Sequence, residues 1–302
     1  MLAFVAVMLA QAGATTWSSG RPPECSSLLG LDVNVWERAK SPELRAYCDL
    51  VASASSKLSG TTVMAESALE AARTADALLP GRAAAPALEG WALATLGHAP
   101  AAVTAFRDAA TKDSRVLDDP PVLLAWARAL ARSGQIEEAS SAYRALLPRS
   151  SSLSSAERAS ATVEAGMVAM SRGPIGLDEA VAALRDAMRQ AEGETSFVAA
   201  LALALARDRG GARAEAQSLM ADRVRGDPRE LLLTARAREV LSVASSERLA
   251  LVAFGLEGVR VLEARLAWQQ YLADAPGSPW AEHARRRLDA LRSLRGSAKS
   301  VR

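Results

Sequence analysis

Leu123 to Pro148, LLAWARALARSGQIEEASSAYRALLP, decides how the rest of the chain is read. Leu123, Ala127 and Leu130 recur at i, i+4 and i+7, and Ile136, Ala139, Tyr143 and Leu146 at i, i+3, i+7 and i+10. Each half therefore gathers its apolar residues on one face of a helix. Ser133, Gly134 and Gln135 break the two helices apart, so the stretch predicts an antiparallel helix pair with a short turn.

The pattern of the second helix recurs along the chain as a small residue followed four positions later by a bulky one. Ala102, Phe106 and Ala109 repeat it, as do Ala68, Ala72 and Ala75 in a weaker form, and Ala68 and Ala102 stand 34 residues apart. Further copies centre on Ala180 with Leu184 and Ala187, on Ala216 with Met220, and on Ala264 with Trp268 and Tyr271, so that the intervals from Ala102 through Ala139 onward are 37, 41, 36 and 48 residues. Pro80, Pro228 and Pro276 each fall twelve residues after a small position, where proline ends a helix by removing a hydrogen-bond donor. A period near 34 residues marks a helical array.

With Ala127 as the small residue of the first helix, Gly134 in the turn, and Ala139 followed by Tyr143, the unit resembles a tetratricopeptide repeat. Gly90 and Gly166 fill the small first-helix position in two other copies. The resemblance implies an all-α, right-handed superhelical solenoid of stacked antiparallel helix pairs, with about five to six repeats over residues 43–278. Leu266 to Leu291, LAWQQYLADAPGSPWAEHARRRLDAL, is similar to the repeat-plus-helix pattern of exported bacterial envelope proteins of this family. Residues 279–294 would then form a capping helix, because a terminal repeat must cover its apolar face. A basic tail, 295–302, follows.

Composition narrows the function classes. Half of the 302 residues are hydrophobic but only 4% are aromatic, so alanine supplies much of the apolar content and favours close helix contacts. Lys+Arg 36 against Asp+Glu 34 leaves a net charge of +2, too small a surplus for a protein that wraps nucleic acid. His98 and His283 share no metal motif, the two cysteines lack zinc spacing, and glycine-rich phosphate loops and a G-x-S-x-G elbow are absent from the sequence. The acidic pairs Glu137-Glu138 and Asp178-Glu179 precede Ala139 and Ala180, where first-turn carboxylates complement the helix dipole rather than form a general acid and base. No enzyme activity, cofactor or metal is expected.

The ends carry their own signals. Leu2 to Ala10 is apolar and Ala12-Gly13-Ala14 has the small-x-small form of a signal-peptidase site, so residues 1–14 read as a signal peptide cleaved after Ala14. No Lys or Arg precedes Arg21, and a buried N-terminal helix is the competing reading. The run is too short for a stable membrane span. Residues 15–42 form an irregular leader, and Ser41-Pro42-Glu43 opens the first helix with a cap and a proline. In an oxidising compartment Cys25 and Cys48 would staple the leader to that helix, for about 3 kcal/mol by loop entropy; in a reducing one they would be buried thiols. Arg285, Arg286, Arg287, Arg292 and Arg295, with Lys299 and Arg302, make the C-terminus basic, which suits either a dipole-compatible helix end or contact with an anionic surface.

In the tetratricopeptide family a peptide or helix lies along the concave face formed by the first helices. Aligning the copies on their small residues carries Lys57, Trp91, Arg128, Arg132, Met167, Met170, Leu205 and Arg209 to groove-facing positions, with core packing as the alternative for the Met and Trp residues. Such a groove would take a peptide or helical segment with acidic and apolar residues. The functional expectation is a non-enzymatic protein-binding scaffold, exported and active in the assembly of a cell-envelope complex, with a cytoplasmic adaptor as the alternative. From Pro228 to Gly258 the spacing is too long for one first helix and predicts an extra or kinked one.

Overall fold

The computed structural model describes residues 22–26, 42–59, 64–223, 238, 240 and 245–299. Among them every regular element is helical. One helical turn, Pro23–Ser26, precedes thirteen α-helices: α1 (Pro42–Ser59), α2 (Ala65–Leu78), α3 (Ala84–Thr95), α4 (Ala99–Lys112), α5 (Pro120–Arg132), α6 (Ile136–Leu146), α7 (Ser155–Ser171), α8 (Leu177–Gln190), α9 (Gly193–Arg209), α10 (Arg213–Arg223), α11 (Ser245–Leu256), α12 (Val261–Asp274) and α13 (Ala281–Lys299). Helices adjacent in sequence pack as pairs, α1 on α2, α7 on α8, α9 on α10 and α11 on α12, and the first helices of successive pairs also touch, α7 with α9 and α9 with α11. This is the order of a repeat-like stack. No described helix is long and apolar enough to cross a membrane.

The chain divides into two compact units, Met1–Ala92 with Ala105–Val122, and Leu93–Thr104 with Leu123–Arg302. In the first unit, a Cβ on Gly90 would stand 2.9 Å from the Phe106 ring, so the small first-helix position is the seat of the bulky residue of the second helix. Ala68, Ala72 and Ala75 are fully buried, as the weaker copy of the pattern requires. A disulfide joins Cys25 to Cys48, with Cα atoms 5.8 Å apart. It holds Glu24 beside the start of α3, where its Oε1 accepts from the Ala84 amide at 3.2 Å and from the Tyr47 hydroxyl at 2.5 Å. The Ala85 amide donates to that same hydroxyl at 3.2 Å. Two first-turn donors that the helix cannot satisfy internally are thus capped from a distant segment. Burial, then the bonded Glu24 carboxylate, pushes the Tyr47 phenol far above its ordinary pKa.

The second unit repeats the interlock with other residues. A Cβ on Gly166 of α7 would lie 2.6 Å from Leu184 of α8, and Ala180 and Leu184 are fully buried. Ala139 and Tyr143 of α6 are buried in the same way, and the Tyr143 hydroxyl donates to Glu164 at 3.0 Å. Glu164, fully buried on α7, also receives both arms of the Arg128 guanidinium, at 2.8 and 2.9 Å. Ala264, Trp268 and Tyr271 form the buried face of α12. The turn between α5 and α6 closes on Gly134 at φ +79°, a left-handed conformation that other residues rarely adopt. A Ser154–Glu157 capping box opens α7.

Some boundaries differ from the sequence reading. The serine-rich segment before α7 winds as a 3-10 helix, Leu147–Ser152, because Pro148 can occupy its first turn. Most of 228–244, within the stretch expected to hold an extra or kinked helix, lies outside the described residues; α11 begins at Ser245, and α13 runs on to Lys299, past the end expected for the capping helix. The proposed signal segment with Ala14, most of the leader, Ser41, Asp227-Pro228 and Arg302 lie outside the described residues.

Candidate functional site

The eight groove residues expected from the repeat alignment do not share one environment. Met167, Met170 and Leu205 are fully buried in the hydrophobic core of the second unit. They fill the space between stacked helices, so their side chains are core and not a wall open to a partner. Arg209, whose side chain is also buried, pairs with Glu247 of α11. Arg128 is spread over Glu164, and Arg132 Nη1 donates to the Ala94 carbonyl at 3.1 Å. Trp91 and Lys57 are half-buried, and Lys57 Nζ lies 3.4 Å from the Ser67 carbonyl. The physical reason is common to all: in a stack rich in alanine, long side chains at crossing positions reach the neighbouring helix before they reach solvent.

A different assembly forms where α7, α9 and α11 end. Trp280, just ahead of α13, donates its indole N–H to the Met170 carbonyl in the last turn of α7, at 2.7 Å. The Arg209 guanidinium, from the last turn of α9, lies over the Trp280 ring at 4.8 Å. One turn along α13, His283 Nε2 is 2.7 Å from Asp208 Oδ2, also at the end of α9. A further turn along, Arg287 Nη1 donates to Asp208 Oδ1 at 3.3 Å and its Nε to Glu257 Oε1 at 3.0 Å, with a second contact from Nη2 to Glu257 Oε2. Glu257 follows α11, and Trp268 of α12 also donates to it at 2.7 Å. Arg287 covers the Phe254 ring of α11 at 5.4 Å.

The electrostatics of this edge follow from where it sits. Three helices present their C-terminal ends, each with a partial negative charge from its aligned peptide dipoles. Asp208 and Glu257 add two full charges, with side chains only 6% and 10% exposed. Burial alone would raise the Asp208 pKa, but the His283 hydrogen bond and the Arg287 charge outweigh it and hold the carboxyl below its ordinary value. Burial would likewise lower Arg287, and its bonds to Glu257 reverse the sign. Beside α13 the edge remains partly open as a cavity of about 500 Å³, with Asp208, Glu257 and Arg287 at its polar end and Met220, Phe254 and Leu291 on its apolar walls.

What this arrangement does chemically is hold cations against carboxylates along a helix. Among the described residues no group of three or more His, Cys, Asp or Glu side chains is placed to hold a metal ion. Sequence reasoning singled out Arg209 and the basic C-terminus and weighed His283 only as a metal ligand, but gave no role at a site to Asp208, Glu257 or Trp280. One signal was there to read: Trp280, Ala284, Arg287, Leu288 and Leu291 recur at helical spacing and mark one face of α13 as inward. The carboxylates opposite come from separate helix ends, and only the fold brings them together.

No family model matches the chain, and no curated protein is significantly similar to it.

Proposed function

We propose that this chain is a protein-binding scaffold of the tetratricopeptide type, a right-handed superhelical array that acts by docking a segment of another protein and carries out no covalent chemistry. The observation that carries this reading is the repeated interlock of a small first-helix residue with a bulky second-helix one, Gly90 with Phe106 and Gly166 with Leu184. Each helix pair built that way buries its faces on its neighbours and leaves extended surfaces for a partner. The Cys25–Cys48 disulfide favours work in an oxidising compartment, in keeping with the Ala12-Gly13-Ala14 cleavage pattern and with assembly of an envelope complex.

The test is crosslinking of the tagged full chain in its native host, followed by mass spectrometry of the mature N-terminus and of the cross-linked peptides. The expected result is an N-terminus at Thr15, an oxidised Cys25–Cys48 pair and one stoichiometric partner cross-linked to the helical array. Recovery of intact Met1 with reduced cysteines would replace envelope assembly by a cytoplasmic adaptor. A turnover reaction lost on mutating a described carboxylate, with the fold intact, would remove the scaffold reading itself.

A further inference from the structure

The second unit contains a bound helix of its own. Trp280 and α13 lie across the ends of α7, α9 and α11, and the contact from Trp280 to Met170 spans 110 residues. In an array where each repeat meets only its neighbours, a cap would rest on the last pair, α11 and α12. The segment from Trp280 through α13, which packs mainly on α12, also reaches back to earlier helices: the Trp280 indole N–H bonds a last-turn carbonyl of α7, His283 and Arg287 meet Asp208 at the end of α9, and Arg287 meets Glu257 just beyond α11. Ala284, Leu288 and Leu291 supply buried apolar contact on the same face of α13, while Glu282, Arg285, Arg286 and Asp289 face solvent. The fit is incomplete. The open cavity of about 500 Å³ lies along α13, bordered by Arg287 and Leu291, and the buried Nδ1 of His283 has no hydrogen-bond partner.

We infer that the edge formed by the C-terminal ends of α7, α9 and α11 is a docking site for a basic amphipathic helix of a partner protein, and that α13 occupies it as an intramolecular stand-in. The partner helix would carry an indole, with basic hydrogen-bonding side chains three and seven positions further on and aliphatic residues between them. This deepens the scaffold reading and rests on it. Asp208 and Glu257, whose side chains are 6% and 10% exposed, together with three helix C-termini favour cations over an acidic segment. A resident helix that fills the edge lowers the apparent affinity for the outside one by the fraction of time the edge is free.

The experiment uses the full chain and a labelled synthetic peptide of residues 278–292, SPWAEHARRRLDALR. Its affinity is measured by fluorescence anisotropy for the parent, for a chain with Trp280→Ala and Arg287→Ala, and for that double variant with Asp208→Asn added. Circular dichroism reports folding. The double variant weakens the resident helix and leaves the edge intact, so it should bind the peptide at least about tenfold more tightly than the parent does. Adding Asp208→Asn should remove about tenfold of that gain, because the carboxylate that both the imidazole and the guanidinium contact is gone. Equal binding by parent and double variant, or binding by neither, overturns the inference. So does a double variant that has lost its helical signal, since α13 is then a structural cap and not a ligand. A dimer of the double variant that free peptide does not dissociate also overturns it, in favour of helix exchange between copies. Failure here leaves the scaffold reading standing, because a partner cross-linked elsewhere on the array would satisfy that reading alone.

Discussion

The two units each fasten a distant segment to a helix end, and they do it with opposite chemistry. In the first unit a covalent bond, Cys25–Cys48, fixes a short turn so that its acidic residue, Glu24, caps the N-terminus of α3. In the second, no covalent bond is involved: His283 and Arg287 of α13 meet the carboxylates at the ends of α9 and α11, and the Trp280 indole meets the end of α7. Both obey the helix dipole, acid at an N-terminus and base at C-termini. They differ in how they are undone. A disulfide acts mainly by restricting the unfolded chain and yields to a reductant, whereas the ionic edge depends on protonation and can be taken over by a competing helix.

The largest expected effect is that of Trp280→Ala, which removes a buried indole, its bond to Met170 and the ring under Arg209. Truncating a buried aromatic costs about 3–5 kcal/mol, and amide hydrogen exchange should locate the loss in residues 281–293. A uniform loss through both units would erase the contrast drawn between them. Next comes reduction of Cys25–Cys48, expected to cost about 3 kcal/mol, read as a shift in denaturant midpoint with and without a thiol reductant. If the midpoint stays fixed, the turn around Glu24 is held by its hydrogen bonds alone.

The ionic edge should reveal itself through pH. The Asp208 carboxyl is depressed in the folded chain, so its contribution is complete above the unfolded value near 3.9 and is lost as pH falls through the lower folded value. Asp208→Asn should therefore cost about 2 kcal/mol at neutral pH. The gap to the parent should close on acidification below about pH 4. A gap that does not narrow in acid would place the role of Asp208 in packing rather than charge. The smallest effect is that of Tyr47→Phe, about 1 kcal/mol, from loss of the hydroxyl shared by Glu24 and the Ala85 amide. It should be additive with disulfide reduction only if the two act separately; because both hold the same turn, the double change should cost less than the sum.

Much of the fold was legible because it depends on spacing. The small and bulky positions at Ala139 and Tyr143, Ala102 and Phe106, and Ala180 and Leu184 are buried as the pattern requires, and Gly90 and Gly166 sit where only a hydrogen fits. The cysteine pair was legible as a possibility, and the fold resolves the alternative in favour of a disulfide. The site was far less readable. Repeat alignment assigns a face to each residue but not the depth of that face, so Met167, Met170 and Leu205 were placed on a wall that the neighbouring helices cover. The partners of Arg128 and Arg132, at Glu164 and Ala94, lie 36 and 38 residues away, about one repeat, and periodicity does not say which side chain will reach across. Asp208 and His283 are 75 residues apart, and their meeting depends on how the C-terminal segment turns back.

The most direct test compares hydrogen exchange in two samples, the Asp208→Asn chain and the reduced parent, at neutral pH. Exchange at 281–293 should be faster with 42–59 unchanged in the Asp208→Asn chain, and the reverse should hold in the reduced parent. Parent-like protection of 281–293 without the Asp208 charge, or acceleration of both segments together in either sample, would contradict it.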